Sequence, residues 1–169
     1  MNYWTGVVKE LDRKDIRLAV NQDKKPLFKH WTEPSYKEEK NIEQLLTENG
    51  CYGLRTGKQV GNYYFCVLDF DYNQTFLSFL NKFKVSWVKT SRGAHVYLLL
   101  KKLPANGKIY ARGEKVGDLL SDGRQVIGID SLHASGSKYV FNENGKYFWK
   151  LDALDDLKRE LAKCGLEIR

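Results

Sequence analysis

The residues with the clearest chemical potential close a hydrophobic run. Tyr63 to Asp71 reads YYFCVLDFD, an almost wholly apolar strand that ends in two carboxylates. Such a strand is expected to be buried on both faces. Period-two alternation puts Asp69 and Asp71 on one face and Phe70 on the other. Like charges side by side at the end of a buried strand repel, and ionised carboxylates there are costly without a counter-ion. A divalent cation removes both penalties, since Mg²⁺ is usually held by one or two carboxylates together with phosphate oxygens and waters. The competing explanation is a solvated turn after the strand, the commoner fate of an isolated Asp-x-Asp.

Two further segments carry candidate groups. In WVKTSRGAHVYLLL, His95 alternates with Tyr97 on one strand face, while Val96, Leu98 and Leu100 supply the other. Ser91, Arg92 and Gly93 form the turn just before it. A hydroxyl, a guanidinium, backbone N–H groups and an imidazole close together suit a phosphate; the plainer alternative is a hairpin with a half-buried histidine. In VGDLLSDGRQVIGIDSLHASGSKY, Asp122 reads as a turn residue and Asp118 as the candidate third carboxylate of a metal site. Asp130 is a lesser candidate. His133, Ser135, Gly136 and Lys138 make a polar loop rich in donors suited to an anion.

The elements that must position these residues follow from periodicity. The N-terminus starts helix-like, and Ile16 to Val20 reads as a short strand before the Lys24-Lys25-Pro26 breaker. Ile42, Leu45 and Leu46 predict a helix over 36–49 that stops at Asn49-Gly50. Cys51 to Thr56 and Asn62 to Asp71 read as strands, and Asn73 to Phe83 as a short amphipathic helix. Val85 to Leu100 reads as two strands joined at Ser91-Arg92-Gly93. Lys115 to Leu120 and Arg124 to Ile129 are expected to form a hairpin about Ser121-Asp122-Gly123. Lys138 to Phe141 and Tyr147 to Trp149 suggest another pair across Asn144-Gly145. Leu151, Leu154, Leu157 and Leu161 mark a closing helix. Hairpins dominate the second half, so the expected class is α+β with a mixed or antiparallel sheet. No linker divides the chain, and a single domain over 1–169 is expected.

Composition narrows the function classes. At 169 residues with 42% apolar content the chain can build a core without staples. Charged residues make up 29%, with no repeat or biased tract, which excludes disordered and fibrous classes. The apolar runs fall far short of the ~18 residues of a membrane helix, and the N-terminus lacks the apolar core of a signal peptide. An intracellular, cytoplasmic protein without membrane partners is expected. Three cysteines without CxxC spacing and three scattered histidines give no expectation of zinc, and Cys66 reads as a small buried hydrophobe. The net charge is +7, and the stretch from Asn81 to Lys115 holds nine basic residues against Glu114 alone. A single stretch that supplies the whole excess points to a polyanionic partner. Its candidate contacts are Lys82, Lys84, Lys101 and Lys102; a merely solvated face is the bland alternative.

Taken in order, a strand ending in DFD, then KTSRGAHVYL, then GDLLSDGRQVIG with a His-x-x-Gly loop and an aromatic strand resembles the bifunctional primase–polymerase domain of the archaeo-eukaryotic primase superfamily. KKPLFKHW is similar to a Lys-x-Pro stretch with a following Trp near the start of such domains, and LRTGK to the loop before the first motif. The resemblance covers roughly residues 24 to 149. It implies a primase-like core, with an RRM-like sheet, flanking helices and an N-terminal α/β unit. It makes Asp69, Asp71 and Asp118 the ligands of two Mg²⁺ or Mn²⁺ ions. Ser91, Arg92 and His95 become contacts to the nucleotide triphosphate, with His133 and Lys138 near the same phosphates or the template. Many relatives have Pro-Ser before the histidine of the last loop, whereas this chain has Ile129-Asp130-Ser131-Leu132-His133.

The implied activity is template-directed nucleotidyl transfer, that of a DNA primase and polymerase. Its partners would be single-stranded or primed DNA, dNTPs or NTPs, and a replicative helicase, in a replication system of the kind plasmids and viruses encode. Relatives often carry a zinc element and a fused helicase, so the expected unit here is a minimal catalytic domain or a piece of a longer protein. Two other classes compete. One is an idle primase-fold initiator that only binds DNA; the other is a metal-dependent nuclease that needs no triphosphate pocket.

Overall fold

The computed structural model describes residues 6–71 and 74–169. In chain order the elements are α1 (Val7–Leu11), β1 (Arg17–Leu18), α2 (Ile42–Asn49), β2 (Gly53–Arg55), β3 (Gln59–Val60), β4 (Tyr63–Asp71), α3 (Gln74–Lys82), β5 (Trp87–Lys89) and β6 (Gly93–Leu100). There follow β7 (Gly107–Ala111), β8 (Glu114–Leu120), β9 (Gln125–Ile127), β10 (Val140–Asn142), β11 (Trp149–Leu151), α4 (Leu154–Ala162) and β12 (Leu166–Ile168). The class is α+β. A mostly antiparallel sheet runs β10-β5-β6-β4-β8-β7-β12, with β3 added beside β4 and β11 parallel to β6. A second, small sheet runs β1-β2-β9. No helix among the described residues is long and apolar enough to cross a membrane.

Strand β4 is the axis of the molecule, buried on both faces as its composition requires. Phe65 and Val67 point into one core with Tyr52, Tyr97, Leu99 and the N-terminal elements. Cys66, Leu68 and Phe70 point into the other, under Phe76 and Phe79 of α3 and Leu157 and Leu161 of α4. Each large side chain so buried contributes about 1.5–3 kcal/mol. Cys66 is fully buried, and burial pushes its thiol up to about 11.

Helix α2 starts later than the periodicity suggests. Asn41 Oδ1 accepts from the Gln44 N–H while Gln44 Oε1 accepts from the Asn41 N–H, both at 2.8 Å, a capping box that fixes the start at Ile42. The preceding segment runs through turns and irregular chain, and buried arginines take its carbonyls. Arg17 Nη2 donates to Glu38 O at 2.9 Å. Arg55, only 2% exposed, donates to Glu33 O, Tyr36 O and Asp15 O. The stop at Gly50 (φ 73) is where expected. Helix α3 is seen over Gln74–Lys82; its expected start, Asn73, lies outside the described residues.

Two expected hairpins are corrected. The β8 and β9 strands do not pair: β8 joins β4 and β7, whereas β9 joins β2 in the other sheet. The turn at Gly123 exists, but the polar groups of fully buried Ser121 are taken from elsewhere. Asn106 Oδ1 accepts from its N–H, Pro104 O from its hydroxyl, and Thr56 donates to its carbonyl. The ladder is thus closed and the chain leaves the sheet. Likewise β10 pairs with β5 and β11 with β6, because β11 takes the edge of β6 beyond the end of β5. Strand β7, in place of the expected basic loop containing Pro and Gly, and the short β3 and β12 are additions.

Tyr97 packs edge-on to Phe65 at 5.3 Å, yet its hydroxyl is buried without a hydrogen-bond partner among the described residues. An unpaired buried hydroxyl is costly. Tyr97→Phe is therefore expected to raise stability by about 1 kcal/mol, read as a higher denaturation midpoint; a lower midpoint would mean that the hydroxyl has a partner.

Candidate active site

The acidic end of β4 lies between two partner strands whose register decides what meets there. Asp69 is directly opposite His95 on β6 and directly opposite Asp118 on β8. Directly opposed residues share a face, with Cβ atoms about 4.5–5.5 Å apart. The three side chains therefore gather on the face away from α3, and Asp71 follows two residues along the same face. Phe70 is buried on the other side, as the alternation requires.

Both neighbouring strands place a glycine here. Gly117 is opposite Phe70 and Gly93 opposite Asp71. A Cβ on Gly117 would sit 2.3 Å from Asp69 O, and one on Gly93 1.8 Å from Phe70 O. Only glycine lets the flanking backbones approach this closely.

Asp69 and Asp118 each have a basic side chain beside them. His95 Nε2 lies 3.4 Å from Asp69 Oδ1, with the imidazole buried and its Nδ1 lacking a partner among the described residues. Burial works against ionisation of Asp69, but the His95 hydrogen bond and charge, with those of Lys24 and Lys115, outweigh it and lower the pKa. Lys115 Nζ is 3.1 Å from Asp118. That contact, with the charge of Asp71, holds the ammonium's pKa above the usual lysine value.

Lys115 reaches Asp118 through a bulge. Ile109 pairs with Gly117 but the next residue, Tyr110, pairs with Lys115, so Val116 is an extra residue in β8. One unpaired residue shifts the alternation and puts Lys115 and Asp118 on one face. Simple period-two reasoning assigns them opposite faces, which is why the sequence did not reveal the pair.

The remaining candidates are distributed around this centre. Ser91 and Arg92 are exposed at the β5–β6 turn, next to Gly93 and so to Asp71. They line a pocket of about 250 Å³ with Trp87, Lys89, Thr90 and Gly93. Val88 is opposite His95, so Trp87 and Lys89 face the other side of the sheet. His133 is partly exposed in a loop tied by His133 N–H to Ser137 O at 2.7 Å. Ser135 N–H donates to its Nδ1 at 3.0 Å, which assigns the proton of the neutral ring to Nε2. Lys138 is exposed; its neighbour Tyr139 is the residue buried at the site, 6.1 Å from the His95 ring and 6.3 Å from the His133 ring. Asp130 occupies a left-handed turn position (φ 70) outside the β4 ladder, its N–H donating to Tyr139 O at 2.8 Å.

The basic stretch divides in space. Strand β6 runs from Gly93 at the acidic end to Leu100 opposite Tyr64, a length of roughly 23 Å. Lys101 and Lys102 lie beyond that far end, where Lys101 pairs with Asp152. Lys82 closes α3, donating to Lys163 O, and Lys84 follows it. The structure thus brings Arg92, Lys108, which is directly opposite Asp118, and Lys115 to the acidic end, sets Lys101 and Lys102 beyond the far end, and puts Lys82 and Lys84 at the close of α3, which covers the opposite face. Lys24, Lys115 and Tyr139 are the residues that sequence reasoning missed; of these only Lys24 carried a signal, the Lys-x-Pro stretch.

Among the described residues no three His, Cys, Asp or Glu side chains come together as a metal-holding group. The donor chemistry nevertheless fits a hard divalent cation. Asp69, Asp71 and Asp118 offer only oxygen ligands, on one face of the sheet.

A protein-family model described as bifunctional DNA primase/polymerase, N-terminal, matches residues 13–162. Among curated proteins no sequence match is found.

Proposed function

The chain belongs to the bifunctional DNA primase/polymerase family, and from that premise we propose that it is a template-directed nucleotidyltransferase whose active site is the acidic end of β4. The family membership carries primase/polymerase activity in general, with DNA and nucleotides as partners. The observation that supports this location is the register that sets Asp69 between His95 and Asp118 at the end of a strand buried on both faces. The sheet around β4, covered by α3 and α4, would be the primase-like, RRM-like core.

In this reading Asp69, Asp71 and Asp118 would hold two Mg²⁺ or Mn²⁺ ions. Bound there, such ions would activate the primer 3′-oxygen and neutralise the departing pyrophosphate. The chain's own groups position the reactants. His95, through Nε2, fixes the Asp69 carboxylate beside the nucleotide's phosphates. His133 offers an Nε2–H donor from a hydrogen-bonded loop; Ser91 and Arg92 offer a hydroxyl and a guanidinium at the rim, and Lys138 a nearby charge. Lys115 would yield Asp118 when a stronger cation is present. Lys101 and Lys102, one sheet length away, would meet nucleic acid several nucleotides from the reacting end, and Lys82 and Lys84 would meet it only where it passes the α3 side.

The test is incorporation of labelled dNTPs or NTPs on primed and unprimed single-stranded DNA with Mg²⁺ or Mn²⁺. Template-dependent product is expected. DNA binding without nucleotide binding would instead make the chain an idle initiator, and DNA cleavage without nucleotide binding would make it a nuclease.

A further inference from the structure

Lys24 has no part in the proposal above, yet the fold places it with care. The Asn21–Lys25 turn is closed by Asn21 N–H to Lys25 O at 2.8 Å and Lys24 N–H to Asn21 O at 3.0 Å. Asn21 Oδ1 accepts from the N–H groups of Asp23 and Lys25, and Val20 bridges to Pro26. Lys24 itself sits at φ 66, left-handed backbone that side chains disfavour. Gln125 on β9 holds it there, donating from Nε2 to Lys24 O at 2.9 Å.

This clamped turn delivers the Lys24 ammonium to 5.9 Å above the Tyr139 ring. The same ring packs beside both His95 and His133. No carboxylate forms an ion pair with Lys24 among the described residues, in contrast to Lys115 and Lys101. Its charge reaches Asp69 all the same. A cation held over an aromatic floor, at the acidic end and without an anionic partner of its own, suits a polyanion that arrives with the metal ions.

We propose that Lys24 binds the polyphosphate of the incoming nucleoside triphosphate, sharing the Tyr139 floor with His133. The inference rests on the polymerase reading and adds to it a ligand from the N-terminal elements. Strain at a residue whose side chain is used explains why glycine, which would adopt this φ freely, does not stand there.

The variant that separates use from structure is Lys24→Gly. Calorimetric titration of dATP with Mn²⁺ is expected to show affinity roughly ten- to a hundredfold below wild type, the loss of one charged hydrogen bond. Binding of dAMP should change little, and single-stranded DNA affinity without nucleotide should stay the same. The melting temperature should rise, because the strain is relieved. Lys25→Ala, which removes an equal charge one residue away, should leave dATP affinity unchanged. Gln125→Ala should weaken dATP in the same direction by a smaller factor.

Equal dATP affinities in wild type and Lys24→Gly would overturn the inference. So would a loss confined to single-stranded DNA, which would make Lys24 a backbone contact, or an equal loss in Lys25→Ala, which would reduce it to bulk charge. A wild-type protein that binds no nucleoside triphosphate would sink the polymerase reading itself, a result distinct from these.

Discussion

Asp69→Asn, Asp71→Asn and Asp118→Asn each lower nucleotide incorporation by about 10²–10³-fold or more, the scale of losing a group that stabilises transition-state charge, while Asp130→Ala retains activity. The expectation follows from the β4 register, which gathers the first three on one face and leaves Asp130 in a turn. Primer extension with Mn²⁺ measures it. An active Asp118→Asn beside a dead Asp130→Ala would move the third carboxylate to the other residue.

The same variants should differ in stability. Asp71 is exposed, so its loss should alter the metal-free fold little. Asp69 holds the buried His95, and its pKa is lowered in the folded protein. A lowered carboxylate pKa stabilises the fold above the unfolded value, near the ordinary 3.8, and that contribution is lost as pH falls through the folded value. Asp69→Asn should therefore be less stable than wild type at neutral pH, with the gap closing in strong acid. Denaturant melts across pH check this; a gap that widened on acidification would contradict the ion pair.

Gly93→Ala and Gly117→Ala should each destabilise the protein by about 2–3 kcal/mol, the upper range for forcing extra volume into packed structure. The obstacle is main chain, a carbonyl oxygen within 2.3 Å of either new Cβ, and no rotamer change can make room. The separation of β6 and β8 from β4 must grow at the point where Asp69, Asp71 and Asp118 are set. Incorporation should fall well beyond what the loss of folded protein explains. Gly61→Ala is the comparison: its positive φ carries strain but no atom lies within 4 Å, so it should cost roughly 1 kcal/mol and leave activity intact. Similar effects at all three positions would mean that backbone conformation, not close approach, decides.

Much of the site was legible in the chain alone because it depends on one strand. The run YYFCVLDFD specifies burial by composition and faces by period-two alternation, so Asp69, Asp71 and Phe70 lie on the faces that local geometry dictates. His95 with Tyr97, the β5–β6 turn and the stop at Gly50 are likewise short-range consequences of residue type. The order of the motifs was enough to suggest the family.

What only the tertiary structure decided depends on pairing between distant segments. A turn at Gly123 says that the chain reverses, but Asn106, Pro104 and Thr56 decide that β8 and β9 part into different sheets. The Val116 bulge swaps the face of Lys115, and nothing in the local pattern marks it. The clamp of Gln125 on Lys24 joins residues a hundred positions apart. The basic excess of residues 81–115, continuous in sequence, is split by the length of β6, because an antiparallel strand carries its two ends to opposite poles of the sheet. Alternation along a strand is set by covalent geometry and can be read from residue types; register, bulges and the neighbours of a strand are set by the sum of long-range contacts, and those exist only in the folded chain.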